Sequence, residues 1–175
     1  MWEKINKYYP AWWELLLLFL LFLSFWYPYV HYAEMPARIP THFGASGLPD
    51  AWSPKNPVNV FLAPVIMAVI YCFTTGLTLW MASVPDPKKI INASRRELER
   101  MTPERAELVR QVTIRGLFGI KALLAGMSAY MAYASTLVSL GKMPGLGWFM
   151  WVFTVGLIVA ALYLTFNTIT LIYRK

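Results

Sequence analysis

Four long apolar runs constrain this chain more than any other feature of its sequence. They cover residues 11–30, 58–84, 116–140 and 146–173. Two of them carry no charge, and the first and third carry one each, Glu14 and Lys121. About 20 apolar residues cross the hydrocarbon core of a bilayer, so each run can span a membrane as a helix. We therefore predict an all-α integral membrane protein: one domain over residues 1–175, a four-transmembrane-helix bundle whose Pro/Gly-rich outer loop holds an ordered shape.

The basic residues lie mostly on one side of this predicted bundle. Twelve of the 16 Lys and Arg residues precede the first span, follow the second or end the chain: Lys4, Lys7, Lys88, Lys89, Arg95, Arg96, Arg100, Arg105, Arg110, Arg115, Arg174 and Lys175. By the positive-inside rule, both termini and the connection 85–115 face the cytoplasm, and the loop 31–57 is extracytoplasmic. The location of the basic residues on the cytoplasmic side of the membrane thus explains the net charge of +7. The expected partner is the lipid bilayer, and nucleic acid is not expected.

The connection 85–115 has the composition of an amphipathic helical segment. Thr102-Pro103-Glu104 combines a capping hydroxyl, a proline at the first helical position and an acid near the positive end of the dipole. A helix from Pro103 can run directly into the third span, and Ser94 can cap a shorter helix before it. We predict a solvated or headgroup-facing segment, with docking of a cytoplasmic partner or anionic lipid as the alternative.

Aromatic residues at both ends of the chain's apolar runs predict membrane-interface anchoring. Those near the N-terminus are Trp2, Tyr8, Tyr9, Trp12 and Trp13. Their rings have an apolar body and a polar tip, which favours the headgroup level. The single cysteine, Cys72, allows no intramolecular disulfide and is predicted to be a buried packing residue.

Glu14 and Lys121 are the ionisable residues inside the predicted spans. The topology places both near the cytoplasmic end, at similar depth, so they are a possible interhelical pair. In the simpler interpretation Lys121 extends to the headgroups and Glu14 stays in the interface. A proton or ion pathway is a third interpretation, and the lack of charge at mid-depth weakens it.

The loop 31–57 is the candidate recognition site. Six prolines from Pro28 to Pro57, with both ends counted, exclude a continuous helix. We assign loop architecture to Pro36, Pro40, Gly47 and Pro49, and recognition of a ligand or partner to His42, Phe43, Asp50, Trp52 and Lys55. Asp50 and Lys55 can also close the loop by local bonds.

No metal, cofactor or catalytic group is predicted. His42 lies eight residues from both Glu34 and Asp50, and zinc ligands normally include a tighter pair. A histidine that bonds within the loop is the simpler interpretation, and a pH-sensing role is another. The sequence contains no phosphate-binding loop, nucleophile elbow, zinc-protease helix or dinucleotide fingerprint, so we do not expect an enzyme.

The run from Met35 to Lys55 resembles the signature of a bacterial membrane domain of unknown function. The pattern is close to L-P-x-x-I-P-x-H-F-x-x-x-G-x-P-D-x-W-x-x-K, and Met35 replaces the leading Leu. This family is similar to the N-terminal region of Sdp-type (SdpI-like) toxin-immunity proteins. The resemblance implies a multi-pass protein of the bacterial cytoplasmic membrane and, as one possibility, toxin immunity. The further Arg/Trp motif of the immunity proteins is not found here.

These observations favour a non-enzymatic membrane protein of binding, sensing or immunity type, with an extracytoplasmic recognition loop. The alternative is a structural accessory subunit of a larger membrane complex, and a small transporter is weaker. We expect a protein partner or a homo-oligomer in the membrane.

Overall fold

A computed structural model describes residues 2–173 of the chain, most of which are helical. The helices are α1 (Trp2–Asn6), α2 (Trp13–Val30), α3 (Pro57–Ser83), α4 (Arg95–Arg100), α5 (Pro103–Ser139) and α6 (Phe149–Tyr173). Within these residues, four helices are long and apolar enough to cross a membrane, namely α2, α3, α5 and α6. The predicted set of four long apolar helices is therefore confirmed. Arg174 and Lys175, which the charge argument counted, lie outside the described residues.

Capping residues define where two of the long helices begin. The Asn56 side chain accepts a hydrogen bond from the Asn59 N–H at 2.8 Å, and Pro57 follows it. Thr102 caps α5 in the same way, ahead of Pro103. Because no helix breaker follows, α5 continues for 37 residues, about 55 Å at 1.5 Å per residue. The end of the charged connection, from Pro103 onward, and the third apolar run are thus one helix.

Helix α5 lies at the centre of the bundle and packs on α2, α3 and α6. Small residues let α6 approach it closely. A Cβ atom on Gly126 would lie 2.9 Å from the Phe153 ring, and one on Gly116 would lie 2.5 Å from the Leu164 side chain. These glycines therefore provide the space into which α6 packs.

The bundle has two chemically different ends, called here the basic end and the hairpin end. The basic end contains α1, residues 84–102, the start of α5 and the end of α6. Arg105 joins two of these parts, since its Nε donates to the Leu171 carbonyl at 2.6 Å and its Nη2 to the Ile172 carbonyl at 3.1 Å. Lys4 donates to the Ser83 hydroxyl at 3.0 Å, which places the start of the chain beside the end of α3.

Two predictions about the exposure of side chains are wrong, one for Tyr8 and Tyr9 and one for Cys72. Tyr8 and Tyr9 are only 3% and 6% exposed, because they pack with Ile5, Met81 and Ile114 inside the basic end instead of lying at a membrane interface. Cys72 is exposed and is not a buried packing residue, because its side of α3 faces away from the bundle, unlike the side of the neighbouring Tyr71.

The all-α prediction also omits two strands. Residues of the predicted loop form β1 (Arg38–Phe43) and β2 (Pro49–Pro54), an antiparallel pair. A short 3-10 turn, Tyr32–Glu34, precedes them, and another, Pro87–Ile90, follows α3. The hairpin and the α5–α6 connection, residues 140–148, make up the hairpin end.

Candidate functional site

The hairpin is irregular where its candidate recognition residues lie. From its base, Arg38 pairs with Pro54, Ile39 with Ser53 and Pro40 with Trp52, and the register then shifts on both sides of His42. Proline has no N–H to donate to a strand ladder, so the three prolines within these strands weaken regular pairing. Such irregularities bend a strand and redirect its side chains.

The tip of the hairpin closes through two glycines. The Gly44 N–H donates to the Leu48 carbonyl at 3.0 Å, and the Gly47 N–H donates to the Gly44 carbonyl at 2.9 Å. Gly47 has φ = 75°, in the left-handed region that glycine enters without strain. This geometry favours glycine at position 47, and the assignment of Gly47 to loop architecture stays a prediction.

The base of the hairpin is fixed to the helices by buried side chains. Met35 and Ile39 are 5% and 3% exposed, and Pro40 is also buried. The Lys55 ammonium donates to the carbonyls of Tyr32 at 3.2 Å and Met35 at 2.8 Å. The Lys55 side chain therefore closes the base through bonds to the backbone, which the sequence allowed beside recognition, and its part in recognition stays a prediction.

The tip is bonded to the connection between α5 and α6. The Leu146 N–H donates to the Gly47 carbonyl at 2.8 Å. The Leu146 carbonyl in turn accepts from the Tyr130 hydroxyl at 2.5 Å. The hairpin is therefore attached to the bundle at both its base and its tip.

His42 and Asp50 form an exposed pair near the tip. His42 Nδ1 lies 2.5 Å from Asp50 Oδ1, and the two side chains are 68% and 52% exposed. The sequence allowed Asp50 to pair with Lys55, but the structure places its carboxylate against His42. Exposed pairs of this kind contribute about 0–1 kcal/mol to stability, so the fold does not depend on this one.

A cavity of about 350 Å³ separates the hairpin tip from the helices. His42 and Phe43 line it on one side, and Met131, Met150 and Trp151 line it on the other. Thioether side chains adapt to ligands of different shape. The sequence gave no sign of these three helical residues, since only the packing of α5 against α6 brings them to the hairpin.

The remaining predicted recognition residue, Trp52, lies on β2 outside this cavity. Its side chain is exposed, and its carbonyl accepts from Arg38 Nη2 at 2.9 Å. The exposed Pro36 lies just before β1. Pro49, the first residue of β2, is half-buried and pairs with Phe43 at the tip of the hairpin.

Within residues 2–173 no group of three or more His, Cys, Asp or Glu side chains could hold a metal ion.

A second group of ionisable side chains is buried inside the bundle, near the basic end. Lys121 Nζ lies 2.7 and 2.9 Å from the two carboxylate oxygens of Glu14. These oxygens also accept from the Tyr9 hydroxyl at 2.6 Å and the Tyr71 hydroxyl at 2.8 Å, and Lys121 donates to Thr75 Oγ1 at 3.0 Å. The side chains of Glu14 and Lys121 are 3% and 1% exposed.

This group, the buried network, ties α2, α3 and α5 together. Burial and the hydrogen bond to Glu14 raise the pKa of Tyr9, so its hydroxyl keeps its proton and donates. Every member has a partner, and no member lines the hairpin cavity or the cavities of about 320 and 290 Å³ elsewhere in the bundle. Its geometry therefore suits a structural role better than ligand binding.

The comparisons with known proteins centre on the hairpin. Residues 19–68 match the family model described as "Domain of unknown function (DUF1648)", which covers most of α2, the whole hairpin and the first part of α3. No curated protein and no solved structure matches the chain. The match therefore supplies no activity, substrate or partner.

Proposed function

We propose that this chain is a non-enzymatic membrane protein that binds its ligand at the hairpin end. The observation that carries the proposal is the exposed His42–Asp50 pair beside a cavity of about 350 Å³. The pair supplies a donor and an acceptor, and Phe43, Met150 and Trp151 supply an apolar surface. Small-molecule sites combine a mostly apolar lining with a few polar groups, at volumes of about 300–1,000 Å³.

The charge distribution supports an orientation for this site. Among the described residues, ten of the Lys and Arg side chains belong to the basic-end segments, whereas Arg38, Lys55 and Lys142 belong to the hairpin end. By the positive-inside rule the basic end and both termini face the cytoplasm, and the hairpin is extracytoplasmic. In this proposal the helices cross the bacterial cytoplasmic membrane.

A secreted peptide is the ligand class that this site fits best. One apolar side chain of a peptide would enter the cavity, and its backbone polar groups would meet His42 and Asp50. The resemblance of residues 35–55 to the SdpI-like signature supports a peptide toxin as ligand, and hence immunity. Sensing of an external peptide is the same binding event with a different consequence.

The test is protection of sensitive cells that express the protein. Cells with the wild-type chain should survive secreted antimicrobial peptides that kill cells without it. His42→Ala should remove protection at an unchanged membrane level of the protein, whereas Lys142→Ala, at the same end but outside the cavity lining, should retain it. Equal protection by the wild type and His42→Ala would contradict the proposal.

Purification in mild detergent tests the alternative function. An accessory subunit should migrate with a stoichiometric partner protein, and a binding protein should run alone or as a homo-oligomer. A stoichiometric partner that stays bound to His42→Ala, together with no protection by the wild type, would favour the subunit.

A further inference from the structure

A separate cavity of about 290 Å³ lies at the basic end, where three of the long helices begin or end. Met81 of α3, Val109 of α5, and Ile169 and Ile172 of α6 supply much of its apolar lining. It shares no lining residue with the cavity at the hairpin.

Two buried polar groups that line this cavity have an unpaired atom. Arg110 is only 6% exposed; its Nη1 donates to the Val84 carbonyl at 2.6 Å, and its Nη2 pairs with Glu107. Its Nε–H and the buried Thr168 hydroxyl have no hydrogen-bond partner anywhere in the described part of the chain. Native proteins leave few buried polar groups unpaired, and an unseen bound molecule is one cause when they do.

The contacts that Arg110 already makes and the lining of the cavity define which chemical groups such a molecule must carry. Glu107 pairs with Arg110 and also with Lys7, at 2.8 Å, so the three side chains together keep one positive charge. The free Nε–H of Arg110 calls for an acceptor oxygen, such as that of a carbonyl group. The apolar lining calls for a hydrocarbon chain next to that carbonyl. A lipid ester has this chemistry, and the ends of apolar helices lie at the depth where the ester groups of a bilayer are found.

The surroundings of the cavity favour a phospholipid. Lys88 and Lys89 directly precede its lining residue Ile90, and basic residues beside a bilayer attract anionic headgroups. Ile169 is 52% exposed, so a chain that leaves the cavity can continue along the outer face of α6. We propose that the basic end binds one phospholipid, with an ester carbonyl on Arg110 Nε and the Thr168 hydroxyl, and with the first methylenes of that chain inside the cavity.

Native mass spectrometry of the full-length protein, after repeated washing in lipid-free detergent, tests the proposal. The wild type should retain one phospholipid per chain. Thr168→Phe should fill the cavity and lower the retained fraction at least tenfold, whereas Thr165→Phe, on an exposed position of α6, should retain the lipid. Thr168→Val removes only the hydroxyl and should lower retention several-fold, which guards against a misfolded Phe variant.

Solvent extraction of the same samples identifies the bound molecule. A phospholipid that is lost in Thr168→Phe and kept in Thr165→Phe supports the proposal. A quinone in its place, a wild type that retains no lipid, or equal retention by Thr168→Phe and the wild type would overturn it. None of these results bears on His42, so the proposed function at the hairpin end stands or fails separately.

Discussion

Two acid–base pairs, at different ends of the same molecule, have similar geometry and different surroundings. His42 and Asp50 meet at 2.5 Å on the exposed hairpin, and Lys121 and Glu14 meet at 2.7 Å inside the bundle. Water screens the first pair, which leaves it little effect on stability and keeps its hydrogen-bonding groups open to a ligand. The second pair has lost its water and needs every partner it has. Distance alone therefore does not tell a pair that stabilises the fold from an exposed pair that is proposed to bind a ligand.

The largest expected effect comes from breaking the buried pair. Lys121→Met leaves the Glu14 carboxylate buried with only its two tyrosine partners. Loss of one member of a buried ion pair costs about 3–5 kcal/mol, and we expect that loss in the free energy of unfolding in detergent. The double variant Glu14→Gln/Lys121→Met should recover at least half of it, because no charge is left buried. A double variant no more stable than Lys121→Met would contradict the claim that Lys121 stabilises the buried charge of Glu14.

A smaller effect is expected from one hydrogen bond of the same network. Tyr71→Phe removes a hydroxyl that donates to Glu14, and a hydrogen bond to a charged group contributes about 1.5–3 kcal/mol. Thermal unfolding should show that loss. Tyr163→Phe, on the exposed face of α6, is the matched control and should change little. Equal stability of the two variants would show that the Tyr71 bond does not support the pair.

At the hairpin, backbone geometry should matter more for stability than charge. Gly47→Ala places a Cβ on a residue with φ = 75°, and a left-handed conformation costs a non-glycine residue about 1–2 kcal/mol. Gly76→Ala is the control: it lies within α3 with open space around it, and alanine there should be neutral or stabilising by up to about 1 kcal/mol. Comparison of the two unfolding free energies checks the prediction. A Gly47→Ala variant as stable as Gly76→Ala would show that the tip tolerates another conformation.

The smallest effect on stability should follow from His42→Ala. Its side chain is largely exposed, and surface substitutions of this kind usually stay within about 0.5 kcal/mol. The same variant should lose the ligand, so stability and binding should separate in one protein. Unfolding measurements on the preparation used for the protection assay check this. A large loss of stability would make His42 a structural residue.

Hydropathy and charge were sufficient to predict the long helices, and capping chemistry was sufficient to predict where α5 begins. The pairing of Lys121 was left open because it depends on the rotation of three helices about their axes, which composition does not determine. Tyr9 was misassigned because an aromatic residue near a span looks the same in sequence whether it meets lipid or a buried carboxylate.

The candidate site was predicted in part. The loop was singled out because proline, glycine and aromatic residues concentrate there, and the assignment of His42 and Asp50 to recognition remains a prediction. The strands were missed because prolines obscure their alternation. Met131, Met150 and Trp151 were missed because each is an ordinary apolar residue of a span, and only the tertiary fold brings them to His42.

The contrast between the two pairs is tested most directly by the coupling free energy within each, from two double-mutant cycles on the same protein in the same detergent. For Glu14 and Lys121, with Gln and Met as replacements, we expect a coupling of about 3 kcal/mol. For His42 and Asp50, with alanine at both positions, we expect less than about 1 kcal/mol. Equal couplings, or a larger one at the hairpin, would contradict the division between a pair that stabilises the bundle and an exposed pair that contributes little to stability.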